Sequence, residues 1–368
     1  FMPKFYYSLG FMSGTSLDGI DASIIKSDGE NYVEIIDNKY VKYSDKLRSK
    51  LVKIIDYCSS KAKFEKLSHS IIEIEKEITL VHVKLFKKIK QNNSKIKIDI
   101  IGFHGQTILH KPQKGYSIQI GDSKLLSRLT KTNVISNFRE NDIINGGQGA
   151  PLTPLYHKVM LSKTKLRFPL AIINIGGISN ITYFKNKNKI ISFDTGPGNY
   201  LLDKWVKNNI GKNFDKNGFF SKSGKVNKKV LNKLLKDPYY KKKTPKSLDV
   251  KKYNLRSIKK LNFKDGCSTL CMLTIETICL AIKKVDEDPC LILITGGGRK
   301  NKFILTNLKK KLNISIDTVD KYNFDGDFIE SQAFAYLAIR SYLKKIITLP
   351  NTTGVSKPCL GGSLFSNQ

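Results

Sequence analysis

Arginine is scarce in this sequence. Of its 64 basic residues only seven are arginine and the rest are lysine, against 31 acidic residues, for a formal net charge of +33. A charge of that size normally argues for nucleic acid or an anionic membrane as the partner. The lack of arginine argues the other way, because bidentate recognition of phosphates and bases favours the guanidinium group. The lysines are spread through every segment, together with abundant asparagine and isoleucine. That texture fits a drift in composition and a solvated lysine-rich surface better than a selected patch, so no nucleic-acid partner is expected.

Other absences narrow the field. No uninterrupted apolar run approaches the roughly 20 residues of a bilayer crossing, so no membrane span is expected. The opening FMPKFYYSLG lacks the basic start, long apolar stretch and small-residue cleavage site of a secretory signal, which points to a cytoplasmic location. The six cysteines, Cys58, Cys267, Cys271, Cys279, Cys290 and Cys359, form no CxxC pair, and none has a histidine at zinc-ligand spacing. They read as reduced, mostly buried small hydrophobes. There is no GxGxxG, and no glycine-lysine-hydroxyl triplet closes a phosphate loop, which weakens the hydride-transfer and Walker-type alternatives.

What is present is a chain of 368 residues, long enough for two lobes, with 40% hydrophobic and 26% charged residues, ordinary for a globular protein. FYYSLGFM, DASIIKS and YVEIIDNKYVKY read as a glycine-turned antiparallel hairpin extended by a third strand. From Ser44 to Asn93 the apolar period becomes helical, through Leu47, Leu51, Ile54 and Ile55 and then Ile71, Ile74, Ile78, Val81, Leu85 and Ile89, predicting two or three helices. Ile96 to Phe103 is a buried-strand pattern ending at HGQT, and Tyr116 to Ile120 another ending at GD. Val134 to Phe138 leads into RENDIINGGQGAPLTPLYH, too polar and glycine-rich for a regular element and expected to line a cleft between lobes.

The grammar then repeats. Leu170 to Ile175 is a strand stopped by GG, Ile178 to Phe184 another, and Ile190 to Phe193 a third that stops at DTGPGN before a helix over Tyr200 to Asn209. A lysine-rich segment from Lys212 to Lys260 holds a helix near Val226 to Lys236. A long helix over Cys267 to Val285 and a strand over Cys290 to Thr295 follow. DGDFIESQAFAYLAIRSYLKK reads as a capped helix with Ala333, Phe334, Leu337 and Ala338 buried. The loop-like Pro350 to Gln368 is expected to return to the first lobe, giving lobes of 1–135 with 348–368, and 136–347.

Three strand ends carry candidate chemistry. In MSGTSLDGID, Gly14, Thr15, Ser16, Asp18, Gly19 and Asp21 supply flexible backbone N–H groups, hydroxyls and carboxylates, a set able to hold phosphoryl oxygens and to position a hydrated Mg²⁺ through Asp18 or Asp21. A tight hairpin with an Asx turn would explain Asp-Gly but not the added Gly-Thr-Ser. Asp194, Thr195, Gly196, Gly198 and Asn199 repeat the theme, and Gly296, Gly297 and Gly298 precede Asn301 at a third strand end. Three such loops suit a nucleotide clamped between domains.

These segments are similar to those of the anhydro-N-acetylmuramic acid kinase family of the actin, Hsp70 and sugar-kinase superfamily, over nearly the full length. The likeness runs through GFMSGTSLDGIDAS, GFHGQTILHKP, QIGD, FRENDIINGGQGAPLTPLYH, NIGGISNIT, FDTGPGNYLLD, TPKSLD, TGGGRKN and IESQAFAYLA, in that order. The resemblance implies an α/β, two-lobed actin-like ATPase fold, ribonuclease H-like, with an interlobe cleft. It also implies a cytoplasmic, ATP- and Mg²⁺-dependent enzyme of cell-wall sugar recycling, and a homodimer. That enzyme would open the 1,6-anhydro bridge of 1,6-anhydro-N-acetylmuramic acid and phosphorylate O6.

By the same resemblance, Gly14, Thr15, Ser16, Leu17, Asp18, Gly19, Ile20 and Asp21 form the first ATP-phosphate loop. Gly196, Gly198 and Asn199 form the second, and Gly296, Gly297, Gly298 and Asn301 the nucleoside side, where Arg299 and Lys300 vary within the pattern. Asp194 is the expected general base on the attacking water; otherwise it is an N-cap or turn aspartate. Glu330 orders that water or tunes Asp194, or else simply complements a helix dipole. Arg139 is expected on the lactyl carboxylate or the phosphates, unless it forms an ordinary surface ion pair. His104 and Gln106 would line the sugar pocket, while His110 and His157 frame the loops. Two rivals remain: a kinase of the superfamily for an ordinary sugar or acid, and a non-catalytic nucleotide switch or nucleic-acid binder.

Overall fold

The computed structural model describes residues 3–249, 253 and 255–367. In chain order its elements are β1 (Tyr6–Ser13), β2 (Gly19–Ser27), β3 (Val33–Lys42), α1 (Asp45–Tyr57), α2 (Lys61–Glu65), α3 (Ser68–Asn92), β4 (Ile100–Lys111), β5 (Tyr116–Ile120), α4 (Ser123–Thr130), β6 (Asn133–Ser136), α5 (Glu140–Ile144) and α6 (Pro154–Leu161). Next come β7 (Leu170–Ile175), β8 (Ile178–Phe184), β9 (Ile190–Pro197), α7 (Tyr200–Ile210), α8 (Phe219–Ser223), α9 (Lys228–Leu235), α10 (Phe263–Ile282), β10 (Leu291–Thr295), α11 (Lys302–Lys311) and β11 (Ser315–Thr318). The chain closes with α12 (Ile329–Tyr342), α13 (Pro350–Thr353) and β12 (Ser363–Phe365).

The chain divides into two compact units, Phe1–Thr164 with Phe328–Gln368, and Lys165–Asp327. The expected boundaries, at 135/136 and 347/348, fall elsewhere for a physical reason. Helix α12 packs on β1, β2 and β4 and therefore belongs to the first unit, as do α5 and α6. The terminal segment returns to the same unit as expected, through β12, which pairs antiparallel with β6.

In the first unit the sheet order is β12-β6-β4-β1-β2-β3, with β5 paired to β4. β1, β2 and β3 form an antiparallel meander, and β4 and β6 run parallel to β1. A buried cluster on one side joins Leu9, Phe11, Ile20 and Ile24 of the meander to Leu47 and Leu51 of α1 and Ile71, Ile74 and Ile78 of α3. Helix α12 covers the opposite face and approaches it very closely. A Cβ on Gly10 would lie 2.0 Å from the Ser331 carbonyl oxygen, and one on Gly102, its partner on β4, 2.2 Å from that of Phe334. Two side-by-side glycines thus let a helix backbone rest on the sheet.

The second unit has the order β11-β10-β7-β8-β9, again an antiparallel meander with parallel strands on the β7 side. In both units only the second strand of the path 3-2-1-4-5 runs against the others, which is the ribonuclease H-like arrangement expected. Its core sets Ile173, Ile181 and Phe193 against Leu270, Leu273 and Ile278 of α10. Helix α10 is more apolar than expected: by length and composition it could cross a membrane, yet 78% of its apolar window is buried inside the protein. It is the core helix of this unit.

Four local expectations are corrected. HGQT and DTGP do not end their strands but lie within β4 and β9, both of which carry register shifts in their ladders there. RENDIINGGQGAPLTPLYH is not wholly irregular, because α5 and the start of α6 lie inside it. Finally, α12 is not capped by a side chain, since its N-cap position is Phe328.

Candidate active site

The β1–β2 connection of the first unit is a turn in which Leu17 takes φ +56° and donates its N–H to the Gly14 carbonyl at 3.4 Å. The side chains of Leu17 and Ile20 are buried in the core, so these two can offer a ligand only backbone. Thr15, Ser16 and Asp18 are exposed. The Ser16 hydroxyl donates to Asp18 Oδ1 at 2.5 Å, and Arg48 Nε donates to the Leu17 carbonyl at 3.0 Å. Gly19 lies under the Tyr40 ring, where a Cβ would come within 2.6 Å, and Asp21 pairs with Met12 in the ladder. The turn is therefore anchored by its apolar residues and presents its hydroxyls and one carboxylate outward.

Gln106 supports this turn from β4. Its Nε2 donates to the Gly14 carbonyl at 3.1 Å, while its buried Oε1 has no protein partner among the described residues. An unsatisfied buried acceptor costs free energy unless a donor from water or ligand reaches it. His104, on the same strand, uses Nδ1 toward the Gly105 carbonyl at 2.8 Å and receives Arg139 Nε at 3.1 Å on Nε2. Burial and the neighbouring Arg139 guanidinium hold its pKa well below the usual histidine value. The neutral imidazole thereby serves as acceptor for Arg139, whose Nη1 also donates to the Gly149 carbonyl at 2.6 Å. Arg139 is thus half-buried and oriented by its neighbours. Glu330 sits half-buried in the first turn of α12.

In the second unit Asp194 is 4% exposed and faces Asn180 across the β8–β9 ladder. Its N–H donates to the Lys246 carbonyl at 2.9 Å, its carbonyl accepts the Tyr239 hydroxyl at 2.6 Å, and its Oδ2 accepts the Leu248 N–H at 2.8 Å. It is neither an N-cap nor a turn residue. It is a strand residue held at three points, twice through its backbone and once through its carboxylate, by one segment, Tyr239 to Leu248, which overlaps the TPKSLD motif of the family likeness.

The expected second phosphate loop is tightly packed. A Cβ on Gly196 would meet Thr277 Oγ1 of α10 at 2.6 Å, and one on Gly198 would meet the Gly176 carbonyl at 2.2 Å. Asn199 N–H donates to that Gly176 carbonyl at 2.8 Å, and its Nδ2 to the Ile175 carbonyl at 3.2 Å. Gly196 and Gly198 are buried, whereas Gly176 and Gly177, in the β7–β8 turn they support, are half-exposed. GG at this strand end is legible in the sequence but does not figure among the candidate phosphate turns named there.

Beyond β10, Gly297 has open space where a Cβ would stand, but Gly298 packs against Ile175. Asn301 caps α11, its Oδ1 accepting from Phe303 N–H at 3.0 Å and Ile304 N–H at 3.2 Å. Arg299, taken from sequence only as a variable position of the pattern, is buried and reaches Asp320 at 2.9 Å and Asp327 at 2.6 Å, tying the loop before α12 to the glycine turn.

Paired ribonuclease H-like units with glycine turns at their strand ends place the chain among the actin-like α/β proteins. The family model described as anhydro-N-acetylmuramic acid kinase matches residues 6–367. Relatives carrying that name include one from Pelagibacter ubique, 47% identical and covering 100% of both chains, and one from Zymomonas mobilis, 35% identical over 97% of this chain and 99% of the relative. A third, from Methylobacterium nodulans, is 36% identical over 96% of this chain and 98% of its own. The chain belongs to the anhydro-N-acetylmuramic acid kinase family.

Proposed function

We propose that this protein opens the 1,6-anhydro bridge of 1,6-anhydro-N-acetylmuramic acid and phosphorylates O6 at the expense of ATP, yielding N-acetylmuramic acid 6-phosphate in cytoplasmic recycling of cell-wall sugars. Full-length membership of the family supports the substrate, and the buried Asp194, held by two backbone hydrogen bonds and a third to its carboxylate, is the observation that carries the chemistry. In the substrate O6 is locked in the bridge and has no proton to lose. Water must therefore add to C1 as the C1–O6 bond breaks, and the released O6 takes the γ-phosphoryl group.

Asp194 accepts the proton of that water, the role a rigid, oriented carboxylate performs best. Thr15, Ser16 and the backbone of Gly14 to Asp21 hold phosphoryl oxygens, as do the Gly176–Gly177 turn and, through it, Gly196, Gly198 and Asn199. Gly296 to Gly298 approach the nucleoside, with Asn301 holding the turn in shape. Bound Mg²⁺ supplies charge neutralisation on the phosphates, and Asp18 or Asp21 would hold it through water. Gln106 Oε1 and Arg139, oriented by His104, are available to the sugar's hydroxyl and lactyl carboxylate. Glu330 orders the water, and the enzyme works as a homodimer.

An assay with ATP and either 1,6-anhydro-N-acetylmuramic acid or intact N-acetylmuramic acid tests the reading. Sugar phosphate is expected from the anhydro sugar. Turnover of ordinary sugars with none of the anhydro sugar would replace this reading by that of a common sugar kinase.

A further inference from the structure

Asp142, in α5 of the first unit, is 1% exposed, and both of its carboxylate oxygens are engaged: Oδ1 accepts the Gly149 N–H at 2.6 Å and Oδ2 the Thr353 hydroxyl at 2.5 Å. Burying a carboxylate costs free energy that its hydrogen bonds must offset. The two donors come from distant parts of the chain. Gly149 lies in the glycine-rich loop after α5, and Thr353 ends α13, 211 residues beyond Asp142.

The same two segments meet again through their backbones. Gln148 N–H donates to the Thr353 carbonyl at 2.7 Å, and Gly147 N–H to the Asp142 carbonyl at 2.8 Å. Only glycine fits at 147, where a Cβ would stand 2.1 Å from Asp142 Oδ1 and 2.6 Å from Val355 just beyond α13. Asp142 is therefore a clasp between the loop 145–149 and the C-terminal turn.

The clasp bears on Arg139 through one residue. Gly149, whose N–H Asp142 takes, offers its carbonyl to Arg139 Nη1 at 2.6 Å, from a backbone turned to φ +65°. From another direction, Arg139 Nε donates to His104 at 3.1 Å. Loss of the clasp would let the Gly149 peptide turn and remove one of the two directions these bonds set. An arginine meets a carboxylate best through two parallel N–H bonds, a geometry that a small rotation spoils.

We propose that Asp142, locked by Thr353, is a positioning residue that aims Arg139 at the carboxylate of the sugar's lactyl group and so sets the preference for a sugar that carries one. This rests on the proposed place of Arg139 at the sugar. It adds a specificity device that reaches the site from the C-terminal segment and acts through Gly149.

Calorimetric binding of two probes to the full-length protein tests it: 1,6-anhydro-N-acetylmuramic acid, and 1,6-anhydro-N-acetylglucosamine, which lacks the lactyl group. Thr353→Val keeps the side-chain volume and removes only the hydroxyl, with circular dichroism as the control on folding. It should weaken binding of the muramic sugar about tenfold, the scale of one hydrogen bond to a charged group, and leave the lactyl-free sugar within about twofold. Thr353→Ser should restore the muramic sugar, and Asp142→Ala should weaken it at least as much as Thr353→Val. On top of Arg139→Met, Thr353→Val should have no further effect, because both act through one guanidinium. Equal weakening of both probes would mean a general loosening of the site and overturn the proposal. A further loss on top of Arg139→Met would overturn it too, as would a wild type without preference for the muramic sugar. Wild-type protein that binds neither probe overturns the proposed function and this inference with it. Wild-type binding of the muramic sugar that Arg139→Met weakens and Thr353→Val does not overturns this inference alone.

Discussion

The two units repeat one sheet and use it differently. In the first, the turn between the opening two strands is long and exposed, and its hydroxyls and carboxylate stand clear of the core. In the second, the corresponding turn shrinks to Gly176–Gly177, and the proposed base, Asp194, lies on the third strand, buried and held by three hydrogen bonds. The difference matches two physical tasks. Holding a phosphate takes many weak donors at an accessible surface, whereas a proton acceptor needs one group in a fixed place with water largely excluded. Buried basic residues differ in the same way: His82, His104 and His157 are buried in the first unit, Lys246 and Arg299 in the second.

The comparison predicts that damage at Asp194 strikes turnover and damage at the exposed turn of the first unit strikes binding. The largest effect is expected from Asp194→Asn, which should keep the fold and nucleotide affinity but lower kcat by at least about 10²-fold, measured by steady-state kinetics with circular dichroism as the control. Near-normal activity would remove Asp194 from the role. Next, Gly198→Ala should cost roughly 1–3 kcal/mol in urea unfolding, because its methyl group would meet the Gly176 carbonyl, a backbone atom with little room to yield. An unchanged unfolding midpoint would show that the turn beside it is not rigidly supported.

A smaller change is expected in the first unit. Replacing Thr15 and Ser16 together by alanine should raise KM for ATP about tenfold, as loss of hydrogen bonds to charged phosphates implies, and leave stability within about 0.5 kcal/mol. A fall in kcat at unchanged KM would contradict the division of labour. The smallest effect concerns pH. His82 lies between the Phe11 and Phe103 rings, and burial lowers its pKa to about 4. Its stabilising contribution is complete above the unfolded value near 6.5 and is lost as pH falls toward 4. From pH 7 to 5.5 the wild type should lose about 1 kcal/mol that His82→Leu does not, read from urea midpoints at the two pH values.

Much of the fold was legible because strands such as Leu170 to Ile175 are short apolar runs bounded by glycine, and α3 keeps an unbroken helical period from Ile71 to Ile89. Strand ends were harder to read. HGQT and DTGP look like loops, yet β4 and β9 extend over them because register shifts absorb the irregular backbone at Gly105 and Thr195. The short helix α5 was hidden in a polar segment, since five residues are too few to show a period.

Site residues divide along the same line. Gly14 to Asp21 and Asp194 stand out in sequence because their residue types are unusual at a strand end. Asn301 stands out equally and turns out to be a helix cap, because a capping asparagine and a ligand-binding one look alike before the hydrogen bonds are known. Arg299 was hidden because its acidic partners, Asp320 and Asp327, lie more than twenty residues further along the chain.

The central claim is that water, accepted at C1 with Asp194 as base, opens the anhydro bridge while O6 takes the phosphoryl group. Rapid-quench mass spectrometry of the reaction in H₂¹⁸O tests it most directly. The account predicts ¹⁸O at C1 of the sugar phosphate formed first, before anomeric exchange, and none in the transferred phosphoryl group. An unlabelled initial product would contradict it.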